Sequence, residues 1–184
     1  MAASPREPLL RRIIPGGLTI SPIEIVAAGI AVALLLWAHT LSVEYLQQPL
    51  FVAPLAATIA IVFTTPGMDA TRSWNVIAGQ TLSALVTLGA IAVVGASHGG
   101  MVVAPIALML ALVVMRVGKC LHPPACATVL VICLTPATHH LSFALFPIML
   151  GSVFVICLAW IVHVVEARIP ARWGGRTTPG HGQP

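Results

Sequence analysis

The chain has 184 residues, of which 58% are hydrophobic and only 8% charged, with a mean hydropathy of +1.00. Soluble domains carry about a quarter charged residues, so this composition describes an integral membrane protein with no room for a second, soluble domain. The formal charge of +4 does not point to nucleic acid, because the basic residues stand at the ends of apolar runs and form no stripe.

Residues 1–19 are polar and basic (Arg6, Arg11, Arg12) and are expected at the cytoplasmic surface. Arg11-Arg12 before an apolar stretch is also how an export signal opens, but the stretch is too long and several more follow, so it reads as an uncleaved first span. Ser21-Pro22-Ile23-Glu24 has the form of a capping box with proline at the first helical position. That starts a span reaching about His39, and capping accounts for Glu24 more simply than a proton-carrying role. Trp37 and Tyr45 suit an outer aromatic belt. An extended piece through Pro49 leads to Pro54, where a short apolar run ends at Thr65-Pro66. Residues 67–74, with Asp69, Arg72 and Trp74, form a polar turn.

Asn75 is expected to cap a full-length span over 76–95, followed by a tight loop at 97–100 and a span from about Met101 to Met115. After Arg116 and Lys119 comes Lys119-Cys-Leu-His-Pro-Pro-Ala-Cys-Ala-Thr128, which opens a second short apolar run ending at Thr135-Pro136. Proline is tolerated in the first turn of a helix, where its missing N–H would have no partner. Pro124 therefore reads as the first residue of a helix about 18 Å long, too short for a hydrocarbon core of about 30 Å. Such a helix starts at membrane depth, where free N–H groups are tolerated only against protein or a wet cavity. A loop at 137–140, with His139 and His140, leads to a last span from Leu141 to about Val165 with Pro147 near its outer end. The tail from Glu166 is basic and rich in Gly and Pro, and is expected to be largely disordered past Trp173.

Six crossings with a cytoplasmic N-terminus put Arg6, Arg11, Arg12, Arg72, Arg116, Lys119, Arg168, Arg172 and Arg176 inside, which is every Lys and Arg of the chain. Were the two short runs re-entrant, Arg116 and Lys119 would move outside, so the positive-inside bias favours six crossings.

A shift of 70 residues overlays the short runs: Pro54 on Pro124, Ala57 on Ala127, Thr58 on Thr128, Thr65 on Thr135 and Pro66 on Pro136. The element order repeats as well, long, short, long. An odd number of crossings per copy inverts the second copy. The expected fold is therefore all-α, six crossings as two inverted three-segment repeats, each with a proline-started half-helix in the middle. The first repeat covers 20–97 and the second 98–166, between an N-terminal segment 1–19 and a tail 167–184. Paired short, proline-interrupted segments in inverted repeats point to a transporter site near the midplane. Two opposed helix N-termini, each with about half a positive charge and several N–H donors, would hold an anion.

The residues expected at that site are Pro54, Leu55, Ala56, Ala57 and Thr58 on one side. On the other are His122, Pro123, Pro124, Ala125, Cys126, Ala127 and Thr128. His122 either binds the anion or carries a proton, or else is a neutral imidazole fixing the backbone. The threonine hydroxyls face substrate or bond back to the preceding turn. Lys119 is either a gating or anion-attracting group or an ordinary positive-inside residue, the second being favoured, and Arg116 is read the same way. Gly79 and Ser83 form a small-x-x-x-small pair suited to helix packing, with Asn75 on the same helix.

Cys120, Cys126, Cys133 and Cys157 have no C-x-x-C spacing and read as packing residues. A site joining Cys120, His122 and Cys126 around a soft metal is the less favoured alternative, since a fourth ligand from His139 or His140 lies beyond the short helix. No metal and no cofactor is expected.

His122-Pro123-Pro124-Ala125, continuing through Ala127-Thr128, and Asn75-Val76-Ile77-Ala78-Gly79 with Ser83, together resemble the HPP family of small integral membrane proteins over about residues 22–166. The resemblance implies a compact helical membrane domain. Plant members are associated with nitrite transport into the chloroplast, and most bacterial members lack an assigned role. Two positions depart from the family pattern: Cys126 stands where a glycine is common, and Gln80 where a histidine is.

No enzyme is expected, for the chain has no paired carboxylates, no Ser/His/Asp set and no phosphate-binding loop. The expected function is transport, by a carrier or channel, of a small inorganic anion, with a nitrite-like oxyanion implied by the resemblance. The alternatives are a non-transporting scaffold or sensor, or a metal or cation transporter, which would want buried carboxylates or clustered sulfurs. Membrane lipid and the anion are the expected partners, nucleic acid is not, and the oligomeric state stays open between monomer and homo-oligomer. The expected location is a bacterial inner membrane with both termini cytoplasmic.

Overall fold

The computed structural model describes residues 22–46, 52–65, 67–95, 100–136 and 139–168. The expectations for the N-terminal segment, the Ser21 cap, the piece through Pro49, Pro66, residues 97–99 and the tail beyond Arg168 fall outside them. The regular structure of the described residues is all helical: α1 (Pro22–Leu46), α2 (Val52–Thr64), α3 (Ser73–Val94), α4 (Gly100–Val117), α5 (Ala125–Leu134) and α6 (Leu141–Arg168), with a 3₁₀ turn at Asp69–Thr71.

α1, α3, α4 and α6 are long and apolar enough to cross a membrane. α2 and α5, with 13 and 10 residues, are about 20 and 15 Å long at 1.5 Å per residue. α5 stops at Leu134 because Pro136 follows: the residue before a proline is driven out of the helical region, and Thr135 is at φ −121°, ψ 89°.

Several boundaries differ from the sequence reading. α1 continues past His39 to Leu46, and within it the Thr40 hydroxyl donates to the Trp37 carbonyl at 2.7 Å. Asn75 is not a cap. α3 starts at Ser73, Arg72 holds the capping position without a side-chain bond, and the buried Asn75 amide donates instead to the Asp69 carbonyl at 2.7 Å. Pro54 is the third residue of α2 and not its first; it is still within the first turn, where its missing N–H costs nothing. Pro124 sits one place before α5 in helical backbone, at φ −57°, ψ −24°.

α3 packs against α4, α5 and α6; α4 against α5; α1 against α2 and α6; and α2 against α5 and α6. Two main apolar clusters result, beside a smaller one of Ala78, Met115, Cys120 and Ala125. One joins Ala31, Leu35, Leu55, Ile59, Phe63 and Val155 of α1, α2 and α6. The other joins Ala84, Ile91, Val103, Ala107, Val129, Ile132 and Ile148 of α3 to α6. Close approach at Gly151 lets α6 meet α2, where an added Cβ would run into the Leu55 side chain. Apart from both clusters, buried polar side chains of α2, α3 and α5 meet one another.

Candidate functional site

The buried face of α3 carries Asn75, Val76, Gly79, Gln80, Ser83, Ala84 and Thr87, a spacing of three and four residues that puts them on one side of a helix. Polar groups in a membrane helix turn towards the bundle interior, where they find partners. Gln80 finds two. Its amide N–H donates to the Thr58 hydroxyl at 3.0 Å, and its amide oxygen accepts a close hydrogen bond from the Thr128 hydroxyl. One glutamine thus ties α2 to α5, about 10 Å along α3 from its start. Thr58, Gln80 and Thr128 are all fully buried.

His122 completes the cluster from the segment ahead of α5. Its Nδ1 donates to the Ala70 carbonyl at 2.8 Å, and its Nε2 lies 3.0 Å from the Thr58 hydroxyl oxygen. The imidazole is fully buried. Thr58 also lies 2.8 Å from the Pro54 carbonyl, one turn back along α2. Ser83 and Thr87 extend the polar face, Ser83 against the Met115 sulfur at 3.6 Å and Thr87 donating to the Ser83 carbonyl at 2.6 Å.

Outside His122 lies an open cavity of about 780 Å³, lined by Met68, Asp69, Ala70, Arg72, Asn75, Arg116, Lys119, Leu121 and Pro123. Three cationic side chains and one carboxylate face it, and Arg72 pairs with Asp69 at 3.0 Å in an exposed ion pair. The turn after α2 and the segment before α5 both line this cavity, so α2 runs towards it and α5 away from it.

The structure therefore brings together Thr58, His122 and Thr128 from the expected site residues and adds Gln80. Others stand apart. Leu55 is buried in the α1–α2–α6 apolar cluster, Ala57 and Pro123 are exposed, and Ala56, Cys126 and Ala127 are partly buried. Pro54, Pro124 and Ala125 are buried. The N–H groups of Ala125, Cys126 and Ala127 donate to the carbonyls of His122, Pro123 and Pro124 at 2.9, 3.0 and 3.0 Å. These donors at the start of α5 are engaged, which leaves hydroxyls, an amide and an imidazole as the groups that could turn to a ligand. Cys120 is buried with Ala78, Met115 and Ala125. Asn75 reaches from the cavity wall towards the Leu121 carbonyl at 3.5 Å.

Gln80 was visible in the sequence as a departure from a family pattern, not as a bridge. The polar series Gln80, Ser83, Thr87 on an otherwise apolar helix was the signal that could have found it.

The family described as HPP, transmembrane region, matches residues 17–170. No curated protein matches the chain, and no solved structure does.

Proposed function

Because the chain belongs to the HPP transmembrane family, a family of membrane proteins, we propose that it carries a small inorganic anion, nitrite or a related monovalent oxyanion, across a membrane. One observation carries this reading: a cavity lined by Arg72, Arg116 and Lys119 abuts a fully buried cluster of hydroxyl, amide and imidazole groups. Cations around a cleft raise the local concentration of anions. The cluster of Thr58, Gln80, Ser83, Thr87, His122 and Thr128 holds no carboxylate, which suits an anion better than a cation or metal.

The Gln80 amide oxygen occupies the Thr128 hydroxyl as an anionic oxygen would. An anion entering from the cavity displaces that amide oxygen and takes the Thr128 hydrogen bond, beside the His122 imidazole. The α5 N-terminus contributes its dipole, worth about half a positive charge, even with its first N–H groups engaged.

The helix contacts support an inverted repeat. Exchanging α1 with α4, α2 with α5 and α3 with α6 maps the set of helix–helix contacts described above onto itself. In this reading the Arg72 and Lys119 loops are cytoplasmic, as the positive-inside bias requires, both termini lie on that side, and the membrane is a bacterial inner membrane.

Nitrite uptake into liposomes holding the purified protein tests the function, with protein-free vesicles as the blank because nitrous acid crosses bilayers unaided. Saturable uptake above the blank is expected. Thr128→Ala should lower it about 2- to 10-fold, the equivalent of one hydrogen bond at about 0.5–1.5 kcal/mol. Uptake equal to the blank would overturn the proposal.

A further inference from the structure

We propose that His122 takes up a proton together with the anion, making the protein a proton–anion symporter; this rests on the transport reading above. The ground is a count of hydrogens around Thr58. The Ala70 carbonyl can only accept, so Nδ1 of His122, 2.8 Å away, carries a hydrogen in every protonation state. What varies is Nε2.

The Thr58 hydroxyl has one hydrogen and two acceptors in reach: Nε2 of His122 at 3.0 Å and the Pro54 carbonyl at 2.8 Å. With a neutral imidazole, Thr58 donates to Nε2. The bonds then run one way, from Thr128 to Gln80 to Thr58 to His122 to Ala70. With a proton on Nε2 that nitrogen becomes the donor, and Thr58 turns its hydrogen to Pro54. Gln80 donates to the Thr58 oxygen in both states, because a hydroxyl oxygen has two acceptor sites. A fully buried imidazole can therefore be charged by rotating one hydroxyl, with every partner already in place.

Charge balance ties that proton to the anion. α2 and α3, which meet His122 at Thr58 and Gly79, carry no titratable side chain. The 3₁₀ turn brings Asp69, which pairs with Arg72. The end of α4 and the link to α5 bring Arg116, Lys119 and Cys120, and α5 brings Cys126 and Cys133. α1 and α6 pack around α2 with Glu24, His39, Glu44 and Tyr45, and with Cys157, His163, Glu166 and Arg168. Among the described side chains none of these groups hydrogen-bonds to His122, and the charges lining the cavity below it beyond the Arg72–Asp69 pair, Arg116 and Lys119, are positive. An imidazolium here has no carboxylate among its hydrogen-bond partners, and an anion in the cluster supplies a counter-charge. Each ligand then raises the affinity for the other by the same factor. The proton enters Nε2 as the anion binds and leaves as the anion is released.

The test is made in liposomes loaded with a pH-sensitive dye, with sodium nitrite added outside at pH 7.5 and protein-free vesicles subtracted. Lumen acidification matching nitrite uptake one for one is expected, with no change in rate when a potassium–valinomycin potential is imposed. Nitrite uptake above the blank that follows the potential and leaves lumen pH unchanged would overturn the symport while leaving anion transport standing. Uptake equal to the blank would overturn the transport reading itself. His122→Gln should abolish the proton movement, and proton uptake per nitrite equal to that of the unsubstituted protein would overturn the role of His122. Nitrogen-15 histidine NMR on the unsubstituted protein covers a variant that does not fold. The His122 signal should pass from the Nδ1–H tautomer to imidazolium as nitrite is added, and an unchanged tautomer at saturating nitrite overturns the proposal.

Discussion

A Cβ on Gly79 would stand 2.7 Å from the Cβ of His122 and 2.9 Å from the carbonyl oxygen of Cys120. The bare backbone at Gly79 is what lets α3 come close enough for Gln80, one residue on, to reach Thr58 while His122 reaches it from the other side. The glycine of one sequence motif and the histidine of the other are thus two halves of one contact.

Gly79→Ala should therefore push the His122 segment away, at a cost of about 1–3 kcal/mol for overpacking against atoms that cannot yield. Thermal unfolding in detergent measures this. Gly89→Ala is the control: nothing lies within 4 Å of its added Cβ, and a helical glycine replaced by alanine gains about 0.5–1 kcal/mol. Equal effects of the two substitutions would refute the close approach.

Gln80 is the tie between α2 and α5, so Gln80→Leu should leave the Thr128 hydroxyl buried without a partner, costing about 1–3 kcal/mol. A double-mutant cycle with Thr128→Val isolates the bond, and a coupling of about 0.5–3 kcal/mol is expected for residues in direct contact. Strict additivity would mean that the amide does not hold the helices together.

Arg72 and Lys119 line one cavity, so cysteines placed at 72 and at 119 should label from the same side of the membrane. The positive-inside bias predicts that side to be cytoplasmic. The labelling needs a cysteine-free background. Cys120 and Cys133 are buried among apolar residues, so replacing all four cysteines with alanine should cost some packing but leave the fold standing. Reaction of position 72 with an impermeant reagent in intact cells would reverse the orientation.

The long helices were legible because a membrane span writes its length into its hydropathy. The short ones were legible because Pro54, Pro124 and Pro136 act on their own backbone. Thr58, Thr128 and His122 could be named from the 70-residue repeat and the His-Pro-Pro motif. Two things were hidden. Asn75 has the chemistry of a cap, but its partner is the Asp69 carbonyl, six residues back, and only the folded 3₁₀ turn puts it there. Gln80 bonds across separations of 22 and 48 residues, and no local pattern specifies such partners. The anion donors expected from the α5 N-terminus were misjudged for a related reason. Helical backbone already at Pro124 lets the carbonyls of His122, Pro123 and Pro124 turn back on the N–H groups that follow.

Lys119 carries the last prediction. It is a non-glycine residue in left-handed backbone, at φ 51°, where the end of α4 turns. The Cys120 N–H donates back to the Met115 carbonyl at 3.0 Å, a six-to-one bond of the kind that ends a helix with glycine just before the donor. A side chain there costs about 1–2 kcal/mol, and such strain persists where the residue serves a purpose. In the transport reading proposed above, that purpose is a cation on the cavity wall. Lys119→Gly should raise stability by about 0.5–1 kcal/mol, part of the gain being offset by the freer unfolded chain. The same substitution should slow nitrite uptake, most at low ionic strength, where charges on the cavity wall are least screened. Lys119→Arg keeps the charge and should keep the uptake. Unfolding curves and uptake at two salt concentrations separate the two effects. A glycine variant that is less stable would remove the strain, and one that takes up nitrite undiminished at low salt would remove the steering.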